Sequence, residues 1–449
     1  MDECQALGPI GLGLRLLCRF YGASGEEITS IGADVNRATE PQMPQQRKPN
    51  DLGRSLISLA MDTTLIAVVE LSLSSWLVAG IVPGVERQPL KKLKTDENAL
   101  LALLNRWRDE AVRSGHKISR IAVAFEAGRD GFWLARWLKA RDIEAHVIHA
   151  SSIAVSREHR RAKTDRLDTE LMKRAFVGWL RGERDHCKTA SVPSLWEEDA
   201  KRPSRERESL VGEQSRLINR MKATLIRLGI RGFNPKLRHA EQRLETLRTP
   251  EGEPIPPNTL AELKRDMQRR RFICDQIQSI EQDRLERLER TPHTEPHAMV
   301  RLLARITGIG IETADLLVHE LLLRNMRDRR AVARYGGLTG SPDRSGGTNR
   351  EKGMARSGNA RVRRGMIQLA WRFLLFQKNS ALAQWYRRRT EHAPKARKTM
   401  IVALARKLLI ALWRYAEHGV WPEGAEEKDW RLLVDSTARR HAKQAVVVA

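Results

Sequence analysis

Cysteine is scarce in this chain, and no pair of cysteines has the spacing of a functional motif. Cys4, Cys18, Cys187 and Cys274 are the only four among 449 residues, and none of them belongs to a CxxC pair. This pattern argues against a disulfide framework and against a zinc site built from cysteine. It fits a reducing compartment, so the sequence predicts a cytoplasmic protein.

Long apolar segments and common cofactor motifs are also missing. The chain opens with MDEC, which is acidic where a secretory signal needs basic residues. The most apolar later run, Met400 to Trp413, contains Arg406 and Lys407 and is shorter than the roughly 20 residues of a membrane span, so no membrane partner is predicted. The sequence has no Walker loop, Rossmann fingerprint or HExxH motif, so nucleotide hydrolysis, dehydrogenase and zinc-protease functions have no support.

Acidic residues are too few to balance the basic ones. The chain has 80 Lys and Arg against 55 Asp and Glu, a formal net charge of +25 and a sequence pI of about 10.5. Such a surplus favours a polyanionic partner, and nucleic acid is the commonest, because each neutralised phosphate releases counterions. An acidic membrane surface is the weaker alternative. The 41% hydrophobic content argues against wholesale disorder.

The pattern along the chain indicates several domains. From residue 55, short apolar runs alternate with amphipathic segments, which predicts an α/β sheet, whereas later segments are mainly helical. The predicted parts are a flexible N-terminal extension (1–54), an α/β domain (55–203), a helical coiled-coil arm (204–294), a mainly α C-terminal domain (295–420) and a charged tail (421–449).

The arm prediction rests on heptad-like spacing of apolar residues on either side of the proline-rich break PEGEPIPP. Packing of the same helices on a globular core remains the alternative, because only two or three heptads are present. The heptad-like positions are Leu210, Leu217, Met221, Leu228, Leu260, Leu263, Met267, Cys274 and Ile277.

Four acidic residues stand where an active site of an α/β fold would collect them. Asp62 and Glu126 end the strand-like runs ISLAMD and IAVAFE, and Asp165 and Asp168 lie at i and i+3 on one predicted helix. Four carboxylates suit magnesium or manganese, and two such ions would clamp a phosphodiester. Taken singly, Asp62 could only end a strand, and Asp165 could only cap a helix.

Two later segments have features of phosphate-binding surfaces. RITGIGIETADLLVHEL predicts a helix-hairpin-helix, in which Gly308 and Gly310 let backbone amides approach a phosphate, although Gly308 could simply end a helix. The loop from Asp343 to Arg364 has seven basic residues against two acidic ones. The seven are Arg344, Arg350, Lys352, Arg356, Arg361, Arg363 and Arg364.

Ser345 is a candidate nucleophile in that loop. It lies in RSGG, where the neighbouring arginine and glycines would leave its hydroxyl exposed beside positive charge. A serine attacks phosphorus when a base or metal activates it and cations stabilise the transition state. The alternative is an ordinary turn-forming serine. The following stripe of Val362, Met366, Leu369, Phe373 and Phe376 indicates a helix that faces the core.

The motifs resemble one known family when they are taken together. MDTT, FEAG, KTDRLD, a GIG turn, YGGLTGSPDRSGG and SGNARVRR occur in the order that is typical of insertion sequence 110 family transposases. The resemblance covers roughly residues 55–420 and implies a RuvC-like (RNase H-like) fold for the α/β domain. It further implies that Asp62, Glu126, Asp165 and Asp168 bind magnesium, and that Ser345 forms a covalent 5′-phosphoserine with DNA.

The same resemblance implies the partners. Family members use a non-coding RNA of their own element that pairs with target and donor DNA, and they assemble as homodimers or homotetramers. The sequence therefore predicts a cytoplasmic DNA recombinase that mobilises an insertion sequence, with the GIG turn and the basic loop holding DNA or RNA. A RuvC-like structure-specific endonuclease and a non-catalytic nucleic-acid-binding remnant remain the alternatives.

Overall fold

The structure is a computed structural model that describes residues 53–126, 128, 131–149, 152–153, 164–291, 293, 296–355 and 357–428. The chain divides into two compact units between Asp199 and Ala200. We call them the sheet unit and the helical unit. Each contains its own buried apolar clusters, so each is described by itself.

The sheet unit is built on a six-stranded mixed sheet. Its strands are β1 (Thr64–Leu71), β2 (Trp76–Ile81), β3 (Leu90–Leu93), β4 (Arg120–Glu126), β5 (Glu144–Ile148) and β6 (Thr189–Ala190). Their spatial order is β3-β2-β1-β4-β5-β6, with β1, β4 and β5 parallel and with β2, β3 and β6 each joined by antiparallel pairing. The mixed α/β class predicted for this part of the chain is confirmed, and the RuvC-like topology stays a prediction.

Helices cover both faces of this sheet. They are α1 (Glu97–Arg113), α2 (Trp133–Lys139), α3 (Asp165–Leu180) and α4 (Leu195–Asp199). In β1, Val69 packs in a cluster with Trp107 of α1, whereas its neighbour Val68 packs in the opposite cluster with Phe176 of α3. Burial on both faces explains why β1 reads as an unbroken apolar run rather than an alternating one.

Two long helices pair in the helical unit. They are α5 (Arg202–Arg227) and α7 (Pro257–Arg290), and the short α6 (Ala240–Thr246) lies in the connection between them. As the residue number increases along α5, the number of the contacting residue in α7 decreases. The two helices are therefore antiparallel. The contacts that show this are Arg207 with Glu281, Gln214 with Cys274, and Arg220 with Asp266.

Apolar packing between these helices is concentrated near α6. Met221 and Leu263 are buried there in a cluster that also contains Leu244 of α6. Further along the pair, polar contacts such as the one between Gln214 and Cys274 replace apolar ones. The paired long helices are therefore present, and the coiled-coil geometry stays a prediction.

The remaining helices surround a third core. They are α8 (His297–Ala304), α9 (Ile311–Leu317) with a π-helical turn at Val318–Leu322, α10 (Arg329–Tyr335), α11 (Ala360–Phe376), α12 (Ala381–Thr390), the 3₁₀ turn Pro394–Ala396 and α13 (Arg397–His418). The predicted core stripe of α11 is buried from Val362 to Phe373, but Phe376 is 52% exposed. Among the described helices, none is long and apolar enough to cross a membrane.

Candidate functional site

Asp62 does not end a strand, contrary to the prediction. It is exposed in the turn before β1, which begins at Thr64. The run ISLAM stays outside the sheet because pairing with β2 and β4 starts only at the far side of Asp62, and Leu56 and Ile57 are largely exposed. The strand-like run ISLAMD is therefore not a strand, and β1 is formed by the next apolar run of the chain, LIAVVEL.

Glu126 does end β4, as predicted, and this places it away from Asp62. The parallel register pairs Val69 with Phe125, so Glu126 is level with Glu70 at the carboxyl end of β1. The six residue-to-residue steps from Thr64 to Glu70 span about 20 Å of strand. Asp62 and Glu126 therefore stand at opposite ends of neighbouring strands, well beyond the reach of one metal ion.

Asp165 and Asp168 share the first turn of α3, as the spacing predicted. The cap of this helix is Thr164, whose Oγ1 accepts from the amide of Leu167 at 3.3 Å, so Asp165 is not the capping residue. Within the described residues, no three His, Cys, Asp or Glu side chains are grouped so that they could hold a metal ion. The described positions of the four acids therefore do not fit the predicted magnesium site.

Ser345 lies at the tip of a β-hairpin in the helical unit. Strands β7 (Gly340–Ser345) and β8 (Thr348–Met354) are antiparallel, and Ser345 pairs with Thr348 across the two-residue turn Gly346-Gly347. Gly346 has a φ of 53°, which an ordinary side chain rarely adopts and which suits a tight hairpin turn. Ser345 is exposed there, in agreement with its predicted accessibility.

The base of this hairpin is tightly built around two glycines. Gly358 has a φ of 90°, and a Cβ at its position would approach the carbonyl oxygen of Arg334 to 2.5 Å and the amide nitrogen of Gly337 to 2.6 Å. Next to it, the amide of Asn359 donates to the carbonyl of Tyr335 at 2.6 Å. The chain segments that enter and leave the hairpin are therefore in backbone contact, which holds the hairpin at its base.

Gly358→Ala is expected to open this base. A positive φ and two backbone clashes together should cost about 3 kcal/mol locally. Hydrogen exchange at the amide of Asn359 measures that loss as faster exchange. Gly347→Ala is the matched control, because nothing lies within 4 Å of its added Cβ, and it should leave exchange at Asn359 unchanged. Equal exchange in both variants would contradict a tight base.

A buried polar network fixes the same region, and the sequence reading missed it. The side-chain amide of Asn359 donates to Glu320 at 2.9 Å, and its oxygen accepts from the amides of Arg361 and Val362, so it caps α11. Glu320, in the π-helical turn, is 2% exposed and also accepts from Arg205 of α5 at 2.8 Å. One carboxylate thus ties the start of α11 to α5.

A second carboxylate extends the network one turn earlier. Asp315 accepts from Ser204 at 2.6 Å and forms ion pairs with Arg284 of α7 and with His319. Arg284 also contacts Glu312. In the sequence, Glu312, Asp315 and His319 follow at i, i+3 and i+7 through an otherwise apolar helix, and this polar stripe is the signal that could have revealed the network.

The network makes stability depend on pH. Burial opposes the charged imidazolium of His319, but the hydrogen bond and charge of Asp315 outweigh it, so the pKa of His319 is raised above its usual 6.5. A group with a raised pKa stabilises the fold fully below its unfolded pKa and loses that contribution as pH rises through the folded value. Urea midpoints of the helical unit should therefore fall above pH 6.5 in the wild type and change less in His319→Gln. If the urea midpoint changes equally with pH in both proteins, His319 is not the source of the pH dependence.

The GIG turn connects α8 to α9. Gly308 has a φ of 93° and lies against Phe376 of α11, and Gly310 precedes α9 with nothing within 4 Å of a Cβ placed on it. The amide of Thr307 donates to the carbonyl of Glu426 at 3.0 Å, so the turn is held by the segment after α13. Two helices joined by a glycine turn are present, and their role in binding stays a prediction.

The predicted basic cluster is only partly described. Arg356 and the side chains of Arg344, Arg350 and Lys352 lie outside the described residues. Arg361 donates to Glu208 of α5 at 2.9 Å, and Arg364 contacts the same carboxylate. Arg363 donates to the carbonyl of Ser357 at 3.3 Å. The three described arginines thus have partners in the protein while they stay partly or largely accessible at the surface.

Comparison with known proteins adds an independent finding. The model of the transposase IS116/IS110/IS902 family matches residues 300–403, a range that contains the GIG turn and the β7–β8 hairpin with Ser345. The chain is 39% identical over 392 residues to a candidate transposase, y4rJ, of Sinorhizobium fredii (strain NBRC 101917 / NGR234), which covers 84% of this chain and 96% of that relative. It is 29% identical over 245 residues to the transposase for insertion sequence element IS1328 of Yersinia enterocolitica, over 52% of this chain and 70% of that protein.

Proposed function

The chain belongs to the IS116/IS110/IS902 family of transposases, and from this premise we propose that it mobilises an insertion sequence with Ser345 as the nucleophile. The observation that carries the proposal is the position of Ser345, exposed at the tip of a hairpin whose base is held by backbone contacts. A nucleophile must reach a bulky duplex and still be held in place, and a short hairpin on a rigid base meets both needs.

The chemistry is two successive transfers of one phosphoryl group. The Ser345 oxygen attacks the scissile phosphorus, an Oγ–P bond forms, the P–O3′ bond breaks, and the serine proton passes through solvent to the departing 3′ oxygen. A 3′-hydroxyl of the other DNA then attacks the 5′-phosphoserine and restores the serine hydroxyl. Bonds of the same kind break and form in both steps, so strand transfer needs no ATP.

Magnesium dependence is the part of this proposal that the described residues do not support. Asp62, Glu126, Asp165 and Asp168 do not form a metal-binding group here, so no step is assigned to a metal. The test is titration of Mg²⁺ alone into the full chain by calorimetry, in the wild type and in Asp165→Asn. Binding heat in the wild type that is absent in the variant would support a magnesium site that contains Asp165. No binding heat in either protein would contradict the predicted four-carboxylate site.

The guide RNA, the oligomer and the cytoplasmic location are further parts of the proposal. RNA guidance rests on the family resemblance and on the surplus of +25 charges. The paired helices α5 and α7 offer a long surface for a homodimer or homotetramer. RNA guidance is tested by purifying the protein from cells that carry its flanking DNA and sequencing the RNA that copurifies. The oligomeric state is tested by light scattering.

A trapping experiment decides between the transposase and its alternatives. Labelled duplex DNA from the ends of the element is incubated with the protein and quenched in detergent, and a band that retains label on the protein is sought. A covalent band supports serine chemistry. Cleavage without a covalent band would favour a RuvC-like endonuclease in which water attacks, and binding without either would favour a non-catalytic remnant.

A further inference from the structure

Two cations flank the GIG turn in the helical unit. Arg372 of α11 donates to the hydroxyl of Thr313 at 2.6 Å, on one side of the turn. Lys428 donates to the carbonyl of Ile309 at 2.9 Å, within the turn itself. Among the described residues, the oxygen partners of both cations therefore carry no charge.

Neither cation is neutralised by a carboxylate in the part of the chain that the structure describes. Among the described residues, no carboxylate forms an ion pair with Arg372 or Lys428, and Glu427, which directly precedes Lys428, pairs with Arg305 instead. Burial and, as the smaller cause, the charge of Arg372 together lower the pKa of Lys428 to about 8. Two neighbouring cations that repel one another are an unfavourable arrangement unless an anion joins them.

The surroundings are open and suited to a nucleic-acid strand. Gly310 has open space where a side chain would be, so a ligand can approach the backbone. Trp371 and Phe376, on either side of Arg372 in α11, expose 45% and 52% of their surface. Cations interleaved with exposed aromatic rings are the pattern that single and partly unpaired strands use for phosphate contact and base stacking.

We propose that Arg372 and Lys428 hold one backbone phosphate of a nucleic-acid strand beside the GIG turn. The proposal deepens the function proposed above and rests on it, because it names the residues through which this turn would contact DNA or RNA. The phosphate supplies the negative charge that the described residues do not, and its oxygens accept from both cations at once. The aromatic side chains of α11 then lie next to the sugars and bases of the same strand.

The test is binding of the full chain to two probes over a range of salt concentrations. Fluorescence anisotropy is measured with a DNA duplex and with a single-stranded RNA of the same length, for the wild type, Arg372→Gln and Lys428→Gln. Each variant should bind about tenfold more weakly. The slope of log affinity against log salt should fall by about 0.9 on duplex DNA or about 0.7 on a single strand.

Controls separate this site from general loss of charge. Arg287→Gln removes an exposed arginine of α7 that donates to the carbonyl of Asp283, and it should leave both slopes unchanged. Arg372→Lys keeps the positive charge and should retain the wild-type slope, which shows that the loss in Arg372→Gln comes from the missing charge and not from a failure to fold. The probe whose slope changes identifies DNA or RNA as the source of the phosphate. Normal slopes in both glutamine variants would overturn the site alone, whereas a wild type that binds neither probe would overturn the proposed function with it.

A second measurement does not need nucleic acid. The lysines are labelled by reductive methylation with ¹³C, and Lys428→Arg identifies the resonance of Lys428. In Arg372→Gln, the pKa of Lys428 should rise above its wild-type value, because one nearby cation is gone. An unchanged pKa would show that Arg372 and Lys428 do not share a site.

Discussion

Ser345→Ala is expected to remove DNA strand transfer and the covalent protein–DNA product together. The substitution deletes only one exposed hydroxyl at the hairpin tip, so the fold and the affinity for element-end DNA should remain. The loss of rate should be about a thousandfold or more, because the departing bond would need another nucleophile. Recombination of a plasmid that carries the element ends, followed by sequencing of the junctions, measures this loss.

The matched control for Ser345 is another serine of the same region. Ser357 is exposed just after the hairpin, and only its carbonyl oxygen, which alanine keeps, has a contact with Arg363. Ser357→Ala should therefore recombine at the wild-type rate. If Ser345→Ala cuts DNA normally and forms no covalent product, water is the nucleophile and the endonuclease alternative is correct.

The order of elements could be predicted because it depends on local patterns. The unbroken apolar run of β1 is the pattern of a strand that is buried on both faces. The spacing of Asp165 and Asp168 is the spacing of residues that share one helical turn. The absence of ISLAMD from the sheet could not be predicted in the same way. Pairing with β2 begins at Ile66, and pairing with β4, which is distant in sequence, begins at Thr64, which leaves ISLAMD outside the sheet.

In the candidate site too, local features could be predicted from the sequence and long-range contacts could not. Exposure of Ser345 follows from its own neighbours, since two glycines make a tight turn. The network that supports the hairpin base joins residues that are far apart in the chain: Ser204 and Asp315 are separated by 111 positions, and Arg205 and Glu320 by 115. No local pattern shows which cation meets which carboxylate, so only the folded chain reveals these partners.

Arg284→Ala is expected to destabilise the helical unit by about 3–5 kcal/mol. Arg284 is 3% exposed, and its removal leaves Asp315 buried with Ser204 and His319 as its remaining side-chain partners among the described residues. The effect should exceed that of losing a surface ion pair, which is worth about 1 kcal/mol or less. Urea unfolding followed by a fluorescence signal of the helical unit measures the difference.

Arg287→Ala is the control, because this arginine is exposed on the same helix one turn later and, within the described residues, its side chain donates only to the carbonyl of Asp283. It should change stability by less than about 0.5 kcal/mol. Equal, small losses in both variants would mean that water reaches Asp315 and that the network is not a buried one. A large loss of stability in Arg284→Ala alone, together with slower DNA strand transfer, would show that the contacts of α9 with α5 and α7 help to position Ser345. The link is structural, because Glu320 and Asn359 continue the same network to the hairpin base.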